Sequence, residues 1–486
     1  MAISWLDLFV LVAYLLGITL FGAHFRKGQH SLRDYFLGGR KLPWWAISLS
    51  VVSAETSILT IISTPGIAYR SNLAFLQLVL GYLMARVVVS FLLIPRYFAG
   101  EIYTAYQLIE LRFGKVLKVF TAALFLATRS LAEGVRVFAV AIVFEVVFKR
   151  GTLASLLIVT CLTLLYTFEG GLTAVIWTDV IQLTIYLAGT VLALVLALHR
   201  IPGGWTTVQR IAQVSGHKFA IFNFSFNWHN PYVFWAGFIG GTFLTSASHG
   251  TDQLIVQRLL AARNMRQSQA ALLSSGIVIL FQFALFLVMG VVLFGYYRFY
   301  PPTSAVGRTD MIFPYFVIHS LPPGLAGLLI AAIVAAGMAN LSAALNSLAS
   351  SSVVDFYKPF FRKSASDHHY LSVSRFLTLI WGGVLVALAL GIATFHRSVL
   401  EMALTIASVP YGSMLGIFLL GTLTQDTPST SALTGALCGL GGLILTIKFT
   451  GIAWTWYVAI GATITFVVGW LAGRFQLAVQ HETMKK

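Results

Sequence analysis

Residues 42–67 read LPWWAISLSVVSAETSILTIISTPGI. The stretch is long and apolar enough to cross a hydrocarbon core of ~30 Å as a helix. Yet it carries Ser50, Ser53, Glu55, Thr56 and Ser57 in its middle and Pro65-Gly66 near its far end. A carboxylate and a row of hydroxyls at that depth are costly in lipid and mark a helix that breaks to line a polar space. Five spans later, residues 233–256 repeat the pattern: Gly240-Gly241 is followed by Thr245, Ser246, Ser248, His249, Gly250, Thr251 and Asp252. A lone serine in a membrane helix usually only bonds the backbone one turn back. Two polar clusters at corresponding places point instead to a binding centre built from two broken helices of an inverted repeat, with plain packing seams as the alternative.

Outward from these stretches, apolar runs recur along the whole chain. They lie at about 4–23, 42–67, 74–98, 119–148, 152–168, 174–199, 233–256, 268–297, 311–355, 372–394, 400–423, 431–449 and 453–473. The expected class is all-α integral membrane, with about thirteen transmembrane helices in one polytopic domain. Residues 311–355 are too long for one upright helix, so an outer helix or loop is expected before a long helix starting near Pro323. Hydrophobic residues make up 58% of the chain and charged residues 10%, which excludes a soluble globule and leaves the bilayer as solvent.

The net charge of +16 does not imply nucleic acid, because the basic residues are concentrated in alternate links. Arg26, Lys27, Arg33, Arg40 and Lys41 crowd the first link, and Arg96, Arg112, Lys115 and Lys118 the third. Arg258, Arg263 and Arg266, then Lys358, Arg362, Lys363 and Arg375, continue the alternation. These links are expected in the cytoplasm, with the N-terminus outside, the C-terminus inside and the protein in the cell (inner) membrane. Lys149 and Arg150 are the exception. Residues 4–23 lack a basic segment before them and a clean small-residue cleavage site after them, so they read as a retained span. Cys161 and Cys438 sit in apolar segments and read as packing residues.

Ionisable residues inside spans are the functional candidates. Arg129, Glu133 and Arg136 share one helical face and sum to one positive charge. They form either a structural ion cluster or a seat for a solute oxyanion. Arg86 has Glu133 or Glu55 as candidate partners. Asp179 is suited to a hard cation, or else to capping or pairing with an arginine of the adjacent link. His249, a lone histidine in the broken seventh span, reads as a functional candidate or as a bonded packing residue.

The runs DYFLGGR (34–40), GGLTAVIWTDVIQ (170–182) and QLIVQR (253–258) resemble the sodium/solute symporter family over about residues 4–475. The resemblance implies the inverted-repeat fold of the bacterial leucine transporter with one extra helix in front. Residues 4–23 would be that helix, about 42–199 and 233–423 the two repeats, and 431–473 two further helices. It also implies sodium-coupled import of a small polar solute by alternating access. Sodium would be held by the carbonyls of Leu49 and Val52 and at Ala336, Ala339 and Asn340, with Ser342 close by. Asp179 matches an acidic residue that serves a second sodium or ion exit. The last two positions usually carry hydroxyls; here they are a methyl and a carboxamide, whose oxygen can still ligate sodium. By the resemblance Glu55, Thr56 and Glu133 fall where the solute would lie and His249 near the inner gate; Ser53, Arg129 and Arg136 join them as substrate-binding candidates. The lysine and glutamines of sugar carriers appear as Ile279, Thr56 and Leu404, which disfavours a neutral sugar and favours a carboxylate-bearing, zwitterionic or sugar-acid solute.

Three other classes are weighed against this. A proton-coupled or uncoupled transporter of the same fold is the nearest. A membrane sensor would need a signalling domain, for which residues 476–486 are too short. An enzyme would need metal-ligand histidine pairs, a nucleophile elbow or a phosphate loop, none of which is present.

Overall fold

The computed structural model describes residues 4–25, 31–100, 102–148, 152–302, 312–393 and 399–484. Arg26, Lys27, Lys149 and Arg150 lie outside the described residues. The fold is helical; strand pairing among the described residues is confined to one bridge, Leu42 to Ala262. In chain order the helices are α1 Trp5–Ala23, α2 Leu32–Leu37, α3 Trp44–Glu55, α4 Ile58–Arg70, α5 Leu76–Leu92, α6 Ile94–Tyr97 and α7 Ala105–Phe113. They continue with α8 Lys115–Phe148, α9 Thr152–Arg200, α10 Gly204–Val214, α11 Phe234–Gly250, α12 Gln253–Leu260 and α13 Met265–Phe299. The last group is α14 Ile312–Ser320, α15 Leu325–Ser351, α16 Lys358–Phe360, α17 Asp367–Ala393, α18 Val399–Leu423, α19 Ser429–Phe449 and α20 Tyr457–Met484.

Among the described residues seven helices are long and apolar enough to cross a membrane, and eight when α3 and α4 count as one bent span. Other expected spans fall on shorter apolar helices, such as Leu76–Leu92 and Ala407–Leu423, or on α8, which carries the ionisable face. The expected break of 42–67 is present: the segments Trp44–Glu55 and Thr60–Arg70 meet at 65°. The expected break of 233–256 falls at Thr251-Asp252, between α11 and α12. Residues 311–355 divide as expected into a short helix, α14, and the long α15, and the Pro322 carbonyl accepts the amides of Leu325 and Ala326 at the new start.

Residues 152–168 and 174–199 are joined differently from the expected link. They form one continuous helical stretch turned at Gly171, where φ is +55° and ψ −154°. A straight helix of 49 residues would run about 74 Å, more than twice the hydrocarbon core. A residue without Cβ is needed at that dihedral pair. Cys161 and Cys438, read as packing residues, are both exposed on helix surfaces.

The centre of the bundle is α15, buried along nearly its whole length and packed against α9, α1 and α8. Its alanine-rich run 331–344 lets neighbours approach closely. Broken helices are held equally tightly. A Cβ on Gly81 of α5 would lie 2.5 Å from the Phe238 carbonyl oxygen of α11, and one on Gly241 would lie 2.5 Å from the Leu78 oxygen. Asp7 of α1 caps α15: its Oδ1 accepts the amides of Gly324 and Gly327, each at 2.7 Å.

The basic links meet at one end. Arg40 donates to the Ile102 carbonyl, Arg96 to Thr422, Arg112 to Thr424 and Gln425, and Arg263 to Lys41. Opposite to them, Gln77 donates to the Tyr232 carbonyl and the Trp228 carbonyl accepts the Ala453 amide.

Candidate ion and solute binding site

The first break is knitted by neutral polar groups. Thr56 has extended backbone (φ −78°, ψ 110°), and Ser57 caps α4 by accepting the Thr60 amide at 3.2 Å. Thr56 Oγ1 donates to the Val52 carbonyl at 2.8 Å and accepts Gln282 Nε2 of α13 at 2.7 Å. Gln282 Oε1 in turn accepts the Tyr186 hydroxyl of α9 at 3.4 Å. Asn340 Nδ2 of α15 donates to the Thr56 carbonyl and, at 3.0 Å, to that of Ala336. Ser53 Oγ is buried in the same stretch without a partner. Gln282 and Tyr186 were not singled out in the sequence, although a glutamine in the middle of the apolar run 277–289 is itself a signal of a polar interior.

At the second break Asp252 caps α12, its Oδ1 accepting the Leu254 amide at 2.9 Å. Its Oδ2 accepts the Tyr411 hydroxyl at 2.5 Å and lies 3.5 Å from Arg129 Nη1. Arg129 Nη2 is 3.3 Å and Arg136 Nη1 3.0 Å from Glu133 Oε2. The face that read as one net positive charge is therefore corrected: with Asp252 it holds two guanidinium groups and two carboxylates and is formally neutral. Hydrogen bonding inside it is nevertheless incomplete. Arg129 Nε and Nη2 are buried without an acceptor in bonding geometry, and Glu133 Oε1 is buried without a donor. Beside them Thr128, Arg129, Ala132, Asp252, Ala407 and Tyr411 enclose a cavity of about 10 Å³, room for about one water.

A third cluster joins the two breaks. Arg86 Nη2 pairs with Glu55 Oε2 at 2.5 Å, deciding between the two candidate partners, and lies 3.3 Å from His249 Nε2. Its Nε donates to Ser275 Oγ at 3.0 Å and its Nη1 to the Tyr82 carbonyl at 3.1 Å. His249 Nε2 also lies 3.4 Å from Glu55 Oε2, and its Nδ1 is 3.0 Å from Ser248 Oγ. His249 is thus a bonded, buried group, placed between the ends of α3 and α11. Ile279, one turn before Gln282, is fully buried, and the side chain of Leu404 lies outside the described residues.

Asp179, one of two alternatives in the sequence, is paired. Its Oδ2 accepts Ser50 Oγ at 2.5 Å and Arg258 Nη2 at 3.0 Å, while Arg258 Nε donates to Ser50 Oγ at 2.8 Å. All three residues are buried. Asp179 Oδ1 has no partner, and one turn further along α9 both polar atoms of buried Gln182 also have none. Ser50 and Ser53 on α3, with Thr56 just past its end, and Asp179, Gln182 and Tyr186 on α9 thus form two polar columns that meet where Ser50 bonds Asp179. Helical spacing puts each set on one face.

Of the remaining sodium-ligand candidates, Leu49 lies inside α3 and Ala336, Ala339, Asn340 and Ser342 inside α15. The Val52 carbonyl accepts both the amide and the hydroxyl of Thr56, at 3.0 and 2.8 Å. The Ala339 carbonyl accepts Ser342 Oγ at 3.1 Å, and Asn340 Oδ1 is buried without a partner.

Residues 35–439 match the sodium:solute symporter family. The chain belongs to that family. Family members couple solute movement to sodium and are transporters, not enzymes. The human sodium/iodide cotransporter is 29% identical over 460 residues, covering 92% of this chain and 68% of its own length. Human sodium-coupled monocarboxylate transporter 1 is 28% identical over 426 residues, 87% of this chain and 69% of its own. Among solved structures, a Na+-coupled sialic acid symporter in a substrate-bound outward-open state superposes with a TM-score of 0.89 at 25% identity, over 97% of this chain and 98% of that one. The all-helical symporter fold follows from these likenesses.

Proposed function

We propose that the protein imports a small carboxylate-bearing solute together with sodium by alternating access, with the carboxylate docked on Arg129 between the two broken helices. One observation carries the reading: Arg129 is buried beside a small cavity, with Nε lacking an acceptor and Nη2 held only by the 3.3 Å ion pair to Glu133, outside bonding geometry. A guanidinium presents paired N–H donors in a fixed fork that matches a carboxylate. Glu133 Oε1, lacking a donor, suits a hydroxyl or ammonium elsewhere on the solute, which favours hydroxy acids, sugar acids and zwitterions. The solutes named for three similar proteins, iodide, monocarboxylates and sialic acid, are anions. Sodium is taken at the free Asp179 Oδ1, oxygen being the ligand a hard cation prefers.

In this reading about 42–199 and 233–423 are inverted repeats that rock around the two breaks, within thirteen spans whose basic links face the cytoplasm. The N-terminus lies outside, the C-terminus inside, and the protein resides in the cell (inner) membrane. The test is uptake into proteoliposomes of a panel holding a monocarboxylate, a sugar acid, an amino acid and a neutral sugar, each in sodium and in choline. Sodium-dependent uptake of a carboxylate, lost in Arg129→Gln, is the expected result. Equal uptake in choline would overturn sodium coupling, and uptake of the neutral sugar alone would overturn the solute class.

A further inference from the structure

The seat between α3 and α15, where the family resemblance puts a sodium, is already filled by a side chain. Asn340 is buried, and its carboxamide nitrogen donates to the Thr56 carbonyl inside the first break and to the Ala336 carbonyl at 3.0 Å. Two carbonyls facing one end of the amide fix its orientation, since the reversed amide would set oxygen against oxygen. A primary amide has two N–H bonds, and both are used.

What remains around the seat is poor in free oxygen. The Val52 carbonyl is engaged twice by Thr56, and that of Ala339 by Ser342. The Ala336 carbonyl takes Asn340 Nδ2 besides its place in the α15 ladder. Ala339 offers a methyl. Asn340 Oδ1 is left as a single unpartnered oxygen, too little to replace the hydration shell of a hard cation, which needs several oxygens at once.

We infer that Asn340 stands in for an ion: its tethered N–H donors join the broken helix to α15, so this seat binds no sodium and the coupling sodium is held elsewhere. An N–H pair drawing two carbonyl dipoles together does what a cation would do there, but it cannot leave, so the junction persists through the cycle. This rests on the sodium-coupled reading above, and the test separates the two.

The experiment is binding of 22Na+ alone to the purified full chain, counted per protein, for wild type, Asn340→Ala and the double variant Ala339→Ser with Asn340→Ser. With Asn340 as a stand-in, Asn340→Ala keeps the sodium count and half-saturating concentration of the wild type. The double variant, which restores a hydroxyl pair and removes the competing amide, gains one bound sodium per chain. A loss of bound sodium in Asn340→Ala, or a rise of about tenfold in its half-saturating concentration, the worth of 1.4 kcal/mol, would show that Asn340 is a ligand and overturn the inference. A folded double variant without the extra sodium would overturn it as well. If the double variant does not fold, Asn340→Ala alone decides. Should the wild type bind no sodium, the coupling reading fails, while the gain in the double variant still reports on the seat.

Discussion

Arg129 meets two carboxylates from different parts of the chain, and each carries a different consequence on substitution. Arg129→Gln should weaken binding of a carboxylate solute by about 1.5–3 kcal/mol, the worth of a hydrogen bond to a charged group. Glu133→Gln should harm a simple monocarboxylate less and a zwitterion more; competition uptake with the two solute types reads the difference. Asp179 calls for a different design. Removing it strands a buried guanidinium, so Asp179→Ala should cost about 3–5 kcal/mol of stability. Asp179→Ala with Arg258→Met should recover the melting temperature yet fail to bind 22Na+. If that pair binds sodium normally, Asp179 is only the partner of Arg258. The charges on α8 were readable from their spacing, but their neutraliser was not, because Asp252 lies 123 residues from Arg129 and no periodicity links them. Arg86 was left between Glu55 and Glu133 for the same reason. Gln182 and Gln282 left a fainter trace, since each is a single uncharged polar residue in an apolar helix.

The broken helices were legible because polar residues cannot sit midway through a lipid-facing helix, and so residues 42–67 and 233–256 announced their breaks. The joint in α9 was not. Gly170-Gly171 in an apolar run reads as a short link, and only the backbone at Gly171 shows that the two spans meet directly. Gly171→Ala should therefore cost about 1–3 kcal/mol, the price of holding a residue with a Cβ in a glycine-only region. Melting in detergent measures it, and an unchanged melting temperature would mean that the joint relaxes freely. The close packing of α5 on α11 belongs to the same scale: Gly81 and Gly241 let Arg86 on one helix reach His249 on the other. α3, by contrast, reaches α15 through Thr56 and Asn340 rather than through packing alone.

For the whole molecule, the alternation of basic links was readable in the sequence, and the structure brings Arg40, Arg96, Arg112 and Arg263 to one end of the bundle. If Asn340 removes one sodium from the cycle, one sodium and one monoanion cross together and carry no net charge. A potassium diffusion potential of 100 mV should then leave initial uptake nearly unchanged. A second sodium would add about 2.3 kcal/mol of driving force at that voltage, a factor on the order of fifty. The cap that Asp7 places on α15 also sets a timetable. The residues it bonds are made 317 and 320 positions later, so the carboxylate enters the membrane long before its partners exist. At ~5–20 residues per second that interval is roughly 15–60 s. During it the first helix can rest on α9, against which it also packs, but its carboxylate lacks the α15 amides. A ribosome stalled before Gly324 thus leaves a nascent protein in which α1 can already meet α9 while Asp7 still waits for the two amides it caps.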